Sequence, residues 1–295
     1  MNQNKHVLMV TLCISFLIYS SSNFATSFTS FDDMIMEWEQ KEKRNKIAIL
    51  NYQIDAIKNE HYQKILTELQ RITNKPYDDL KKEIDEQRNL TKTLLQQENH
   101  HANHDPNIPN SITQKLCETI SQHNINPNNI NFAYKNSNSL HASAYSGNMY
   151  AGSWIDKPKI INKPEITIYD PLLKKSEDSQ LQIYHHEICH ILLQHIYIDT
   201  LANKKLPNII LEETTTEPYT ASETYYKKKG ISHLASLTEE EADIHASLSN
   251  SQIAYIGMQK RCSDRQHPHI IDKQNHCKKL TTIYELMKQK EKLMS

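Results

Sequence analysis

Apolar residues recur at intervals of three and four positions along two long segments near the start of the chain. The stripe within residues 31–73 consists of Ile47, Leu50, Ile54, Ile57, Ile65, Leu69 and Ile72. A second stripe consists of Leu80, Ile84, Leu90 and Leu94. This spacing is that of one face of an α-helix, and Asn74 and Pro76 separate the two segments. Residues 26–98 are therefore predicted to form a helical hairpin or coiled-coil arm, which either packs and self-associates through residues 31–98 or binds a partner.

A polar segment follows this arm, and then a mixture of helix and strand. Residues 99–110 contain two prolines and are predicted to be a linker, with a loosely held metal site as the alternative. The donors of that site would be His100, His101, His104 and Asp105. A short helix is predicted to begin near Ser111 and a strand to cover residues 130–134. Residues 165–170 alternate apolar and polar, and the flanking prolines favour a position at a sheet edge. The predicted fold class is mainly α with a small β-sheet (α+β).

Residues 1–25 have the pattern of a secretory signal peptide. Lys5 and His6 precede an apolar run over residues 7–19, and small polar residues follow the run. Such a run is too short to span a bilayer comfortably. We expect an exported protein of the periplasm or cell envelope, with an uncleaved anchor as the alternative. Because no second apolar stretch of about 18 residues follows, no transmembrane domain is expected beyond this segment.

Composition narrows the classes of function. The 295 residues include 4 glycines, none with the spacing of a phosphate-binding loop, which argues against a nucleotide-binding fold. The formal net charge is −1, so nucleic acid is not an expected partner. Export permits disulfides, and Cys262 and Cys277 flank a loop that a disulfide would close. Cys117 and Cys189 fall in predicted helices and are expected to be buried thiols. The 16 histidines direct attention to metal sites.

Residues 186–190, His-Glu-Ile-Cys-His, form an H-E-x-x-H motif inside a helix predicted to start near Ser176. Residues four apart lie on one helix face, so the imidazoles of His186 and His190 are placed to bind one zinc ion. Glu187 then lies beside the metal, where it can accept a proton from water whose pKa the zinc has lowered. The motif predicts a zinc centre with Glu187 as the general base.

A catalytic zinc site needs a third protein ligand. His195 lies about 140° around a continuous helix from His190, and no glycine follows His190 to turn the chain back. His195 is therefore expected to point away from the metal. Glu239 and Asp243 are one helical turn apart, so Glu239 is predicted to ligate zinc and Asp243 to accept the second ring N–H of a ligand histidine. The alternative is an acidic helix start that Thr238 caps.

These motifs resemble those of gluzincin metallopeptidases, in particular the family of CAAX prenyl proteases, HtpX-like proteases and exported quality-control metalloproteases. The likeness lies in a strand followed by an acidic turn, H-E-x-x-H with a histidine five residues on, and then E-x-x-x-D. A strand-like segment at residues 138–147 and the pair His267-Pro268 add to it. The resemblance implies a zinc metallopeptidase domain over residues 111–295, whose active-site helix packs under an edge strand.

The resemblance also implies roles for individual residues. His186, His190 and Glu239 would hold one zinc ion per chain, Glu187 would be the base, and Asp243 would support a ligand. The strand at 165–170 would be the edge to which a peptide substrate adds. His267 would serve as a gate or an oxyanion donor. Further candidates for stabilising an oxyanion are Tyr219, Tyr225, Tyr226, His233, His245, Arg261 and Arg265.

Two functions follow as expectations. The first is an exported zinc-dependent endopeptidase that hydrolyses peptide bonds of proteins, acting in envelope protein quality control. The second is a non-catalytic, zinc-stabilised envelope scaffold or chaperone that acts through the N-terminal helical arm.

Overall fold

The computed structural model describes residues 31–97, 104–135, 144–146, 164–203, 232–263 and 271–295. The chain divides into two compact units, Met1–Ala48 and Ile49–Ser295. In the described part of the first unit, an ion pair of 2.8 Å joins Glu42 to Lys46 one helical turn later. The predicted signal peptide lies outside the described residues.

Helices dominate the described residues. They are α1 (Phe31–Thr73), α2 (Tyr77–Gln96), α3 (Asn110–Gln122), α4 (Asp170–Leu173), α5 (Glu177–Leu192), α6 (His195–Asn203), α7 (Ser232–Ala246), α8 (Ser251–Ser263) and α9 (Lys273–Met294). A 3₁₀ turn covers Pro127–Asn129. Within the described part of the chain, no helix combines the length and the apolar character needed to cross a membrane.

The first N-terminal helix ends where the sequence predicts. Helix α1 ends at Thr73, and the next residue, Asn74, adopts a φ of 53°, in the left-handed region that asparagine tolerates. Helix α2 follows from Tyr77. Their apolar faces join α6 and α7 in one buried cluster. This cluster contains Ile65, Leu66, Leu69, Leu80, Ile84, Tyr197, Ile198, Leu201, Ala202, Leu234 and Leu237.

The domain boundary differs from the predicted one. A separate arm over residues 26–98 and a linker over 99–110 were expected, but the second compact unit begins at Ile49. The reason is the burial just described, which places Ile65 and Leu69 of the first stripe and Leu80 and Ile84 of the second inside the core. Part of the predicted linker is also packed, since Ile108 is buried and His104 forms a β-bridge with Phe132.

Within the described residues, three strands form one sheet with the order β1-β3-β2. Strand β1 (Asn131–Lys135) pairs parallel with β3 (Glu165–Tyr169), and β2 (Ala144–Ser146) pairs antiparallel with β3. The prediction that residues 165–170 form an edge strand is therefore wrong. The flanking prolines lie beyond the two ends of β3, Pro164 before it and Pro171 in α4, so they interrupt no pairing along the strand.

The fold class, mainly α with a small sheet, is confirmed. Helix α5 contacts an edge strand, but that strand is β2. Helix α5 begins after Ser176, with Glu177 and Asp178 in its first turn, where acidic groups meet the positive end of the helix dipole. Its apolar face joins the sheet and α3 in the largest core cluster, which includes Ile120, Phe132, Ile166, Ile168, Ile183, Tyr184 and Ile188.

The other face of α5 packs against α7 through small side chains. Cys189, Ala242 and Ala246 are buried together with Leu193 at this contact. Small residues allow two helix backbones to approach closely, which brings the acidic residues of α7 within reach of the histidines of α5.

Two cysteine predictions can be compared with the structure. A disulfide joins Cys262 of α8 to Cys277 of α9, which confirms the predicted pairing. Cys117 and Cys189 are free thiols. Cys189 is buried, whereas Cys117 is only half-buried.

Candidate metal centre

The two histidines of the H-E-x-x-H motif face each other across one turn of α5. Both are buried, and their Nε2 atoms lie 3.0 Å apart. The motif lies in the C-terminal half of a regular helix, so the four-residue spacing places His186 and His190 on the same face, as predicted.

Helix α7 brings Glu239 to these histidines. Its Oε2 lies 3.2 Å from His186 Nε2, and its Oε1 lies 3.5 Å from His190 Nε2. The alternative of an acidic helix start capped by Thr238 is wrong, because α7 begins at Ser232. Thr238 lies inside the helix, where its hydroxyl donates to the Ala235 carbonyl.

The three side chains form a group that suits a metal ion. Zinc binds imidazole nitrogen and carboxylate oxygen at about 2.0–2.2 Å, so the ligand atoms of a tetrahedral site lie about 3.3 Å from one another. The separations of 3.0, 3.2 and 3.5 Å fall around this value. Two nitrogens and one oxygen also form the donor set of catalytic zinc sites, which leave a fourth position for water or substrate.

Asp243 lies behind His186, one turn beyond Glu239. Its Oδ1 lies 2.8 Å from His186 Nδ1. The Nε and Nη2 of Arg261 donate to the same carboxylate at 2.7 and 3.0 Å, and His276 Nε2 lies 3.0 Å from it. The structure thus places Asp243 where the sequence predicts it, and adds two further partners for its charge.

The acidic and basic side chains of this centre shift one another's pKa values. Burial opposes ionisation of Asp243, but the adjacent Arg261 and His186 hold its pKa well below the usual range. Burial likewise opposes ionisation of Glu239, and His190 and His186 outweigh it, so this pKa is also well below the usual range. Burial alone would lower the pKa of His186, but Asp243 and Glu239 raise it to about 9.

Glu187 is buried beside the metal-binding group. Burial raises the pKa of its carboxyl, and His190 and His186 oppose this shift. Tyr169 and Lys260 are close enough to Glu187 to interact with its charge. Burial and the neighbouring Arg261 lower the pKa of Lys260 to about 8. Sequence reasoning did not identify Tyr169 or Lys260, because each lies far from the motif along the chain.

The prediction of a continuous helix past His190 is wrong, although His195 lies outside the group of three metal-binding side chains, as expected. Helix α5 ends at Leu192, and Gln194 adopts a φ of 57° without being a glycine. The side-chain amide of Gln194 donates to the Ile191 carbonyl at 2.8 Å, which supports this turn. Helix α6 then starts at His195, whose Nδ1 lies 2.7 Å from His190 Nδ1. His195 contacts the outer nitrogen of His190 and does not join the three converging donors.

A second carboxylate completes the surroundings of His190. Glu241 of α7 is buried, and its Oε2 lies 2.9 Å from His195 Nε2. Arg88 of α2 donates to the same oxygen at 2.7 Å and, through Nε, to the Leu193 carbonyl at 2.9 Å. The run of three glutamates at 239–241 was a signal that could have drawn attention to Glu241. No local pattern marks Arg88.

The remaining candidates lie elsewhere. His267, Tyr219, Tyr225, Tyr226 and Arg265 are outside the described residues, as are His100 and His101. Arg261 is engaged by Asp243, and His233 is exposed on the first turn of α7. His104 stacks on Phe132, and Asp105 accepts from the Asn107 backbone, so these two side chains have structural partners.

Comparison of the chain with protein-family models, with curated proteins and with solved structures finds no match. Inference about function therefore rests on the geometry of this centre and on its motifs.

Proposed function

We propose that this protein is an exported zinc-dependent endopeptidase that hydrolyses peptide bonds of proteins, of the gluzincin class that its motifs resemble. The observation that carries the proposal is the convergence of the buried His186 and His190 with the partly buried Glu239, with the buried Glu187 beside them. Export is supported by the signal-like residues 1–25 and by a disulfide, a bond that forms in oxidising compartments.

The proposed chemistry assigns a task to each side chain. When bound, zinc lowers the pKa of water and polarises a carbonyl. Glu187 accepts a proton from the attacking water and returns it to the departing amine. Its raised pKa suits this exchange, since a general acid and base works best when its pKa is near the working pH. Asp243 contacts Nδ1 of His186, which would leave Nε2 of that ring to bind the zinc.

We further propose that the substrate backbone adds to the edge strand β2 rather than to β3. Strand β3 is paired on both sides, whereas β2 is an outer strand of the described sheet and contacts α5. An extended peptide added to such an edge is held by main-chain hydrogen bonds with little regard to its sequence. This mode suits a peptidase that acts on many unfolded proteins.

Replacement of Glu187 by glutamine tests the mechanism. The amide retains the shape of the side chain but cannot act as a base. Cleavage of casein is therefore expected to fall by about 10²- to 10⁴-fold, the range typical for loss of general acid–base catalysis. Zinc content, measured by atomic absorption, is expected to remain near one ion per chain.

Glu86→Gln is the matched control, because Glu86 is an exposed glutamate on α2. This variant should retain full cleavage. Undiminished cleavage by zinc-loaded Glu187→Gln protein would contradict the mechanism. A wild-type protein that binds zinc and cleaves no polypeptide would instead favour the non-catalytic scaffold.

A further inference from the structure

On the side away from His186, His190 contacts a series of hydrogen-bonded polar side chains that ends at Arg88 in helix α2. His190 Nδ1 lies 2.7 Å from His195 Nδ1, and His195 Nε2 lies 2.9 Å from Glu241 Oε2. Arg88 Nη2 donates to the same Glu241 oxygen at 2.7 Å. His195 and Glu241 are each about 2% exposed, so water does not replace these contacts.

The donor and the acceptor of each hydrogen bond in this series can be assigned by starting from Arg88. The guanidinium of Arg88 can only donate, so the Glu241 carboxylate accepts. The carboxylate also accepts from His195 Nε2, which therefore carries a hydrogen. In a neutral imidazole the other nitrogen is then an acceptor, so His195 Nδ1 accepts from His190 Nδ1. The hydrogen of His190 is thereby fixed on Nδ1, and the lone pair of its Nε2 is directed toward His186 and Glu239.

We propose that His195 is a positioning residue for the metal centre, which with Glu241 and Arg88 fixes the tautomer and ring orientation of the ligand His190. The proposal rests on the proposed zinc site, because zinc is the ion that the unprotonated Nε2 of His190 would bind. It also makes α2, expected from the sequence to be a separate arm, a part of the metal centre through Arg88.

The two ligand histidines are thus supported in parallel ways. His186 contacts a buried carboxylate directly, and that carboxylate is held by Arg261. His190 reaches its carboxylate through one intervening imidazole. Histidine ligands of metals commonly donate their second N–H to such a partner, and loss of the partner typically weakens metal binding 10- to 100-fold.

A second histidine pair offers a matched comparison. His123 Nε2 lies 2.9 Å from His185 Nδ1, and Ser249 Oγ is also 2.9 Å from that nitrogen. In the described residues, no carboxylate is hydrogen-bonded to this pair, and neither histidine belongs to the metal-binding group. Loss of a histidine–histidine hydrogen bond here should leave metal binding unchanged.

Zinc affinity of three variants, measured by competition with a chromophoric chelator, tests the proposal. His195→Leu should weaken zinc binding by about 10- to 100-fold. His195→Gln, whose amide retains one acceptor and one donor, should recover most of the loss. His123→Leu should bind zinc as the wild type does. Equal affinities of His195→Leu and wild type, or equal losses in the leucine and glutamine variants, would overturn the proposal.

The tautomer of His190 gives a second measurement that needs no zinc. In ¹⁵N-labelled, zinc-free protein, long-range ¹H–¹⁵N spectra should show the hydrogen of His190 on Nδ1, and His195→Leu should redistribute it between the two nitrogens. A wild-type His190 ring that carries its hydrogen on Nε2 would contradict the assigned series of hydrogen bonds from Arg88 to His190. If the wild type binds no zinc, the proposed function fails, while the spectra still decide whether His195 positions His190.

Discussion

At the scale of the residue, His186 holds the extra proton of the metal-free centre. Its Nδ1 faces Asp243 and its Nε2 faces Glu239, and these carboxylates raise its pKa to about 9 against the opposing effect of burial. A metal ion can bind His186 Nε2 only when the proton on that nitrogen has left. Zinc and this proton therefore compete for the same position.

This competition predicts the pH dependence of zinc binding. Below about pH 9 His186 is protonated in the metal-free protein, so each bound zinc displaces a proton there. The apparent association constant should rise at least about tenfold per pH unit between pH 7 and pH 9, and less steeply above pH 9, where only water on the zinc still releases a proton. Calorimetric titration in buffers of different ionisation enthalpy, at pH 7 and at pH 9.5, measures the proton release directly. An association constant that rises no more steeply between pH 7 and pH 9 than above pH 9 would contradict the prediction.

The residues that sequence could predict are those whose geometry a single helix determines. His186, Glu187 and His190 follow from a four-residue spacing, and Glu239 with Asp243 follow from the same spacing on α7. His195 could not be placed, because Gln194 takes a left-handed φ that sequence rules assign mainly to glycine. In that position the tertiary structure outweighs a local preference.

At the scale of the element, α1 and α2 belong to the core that supports the centre. The stripes were predicted, but a stripe does not specify what covers it, and a partner-binding arm was the alternative to a packing or dimerisation element. In the structure α6 and α7, the helices that carry His195 and Glu241, cover Ile65 and Leu69 of the first stripe and Leu80 and Ile84 of the second. The same limit explains the misplaced sheet edge, since alternation in residues 165–170 does not show how many neighbours the strand has.

Two isoleucines of α1 test this role of the helix. Ile65 is fully buried, whereas Ile49 is 59% exposed. Ile65→Ala should lower the free energy of unfolding by about 2–5 kcal/mol, because it removes buried methylenes and leaves a cavity. Ile49→Ala should change it by no more than about 0.5 kcal/mol.

Urea unfolding followed by circular dichroism measures both variants in the zinc-free protein. A stability of Ile65→Ala equal to that of Ile49→Ala would mean that α1 is detached from the core in solution, as the scaffold hypothesis requires.

At the scale of the whole molecule, the disulfide connects α8 and α9, two helices whose side chains contact the carboxylate of Asp243. Arg261 precedes Cys262 in α8, and His276 precedes Cys277 in α9. The two partners of the Asp243 carboxylate other than His186 are therefore adjacent to the bonded cysteines. The disulfide stabilises the fold and, through these neighbours, the orientation of the carboxylate that supports His186.

Removal of the disulfide is expected to have two effects. The bonded cysteines are 15 residues apart, and closing a loop of that length stabilises a protein by about 3 kcal/mol in the chain-entropy description. The double variant Cys262→Ser/Cys277→Ser should be less stable by about that amount. Its zinc affinity should fall measurably, but by less than the roughly 10- to 100-fold typical when a ligand's partner is lost, because Arg261 and His276 remain present.

Reduction with a phosphine distinguishes these effects from those of the serines themselves. The wild type should lose stability on reduction to the level of the double variant, and the double variant should not respond. If the double variant keeps wild-type stability but binds zinc more weakly, the disulfide acts on the centre alone. If stability falls and zinc affinity stays unchanged, the link through Arg261 and His276 is wrong. That result would mean that the contacts within α5 and α7 are sufficient to orient the ligands.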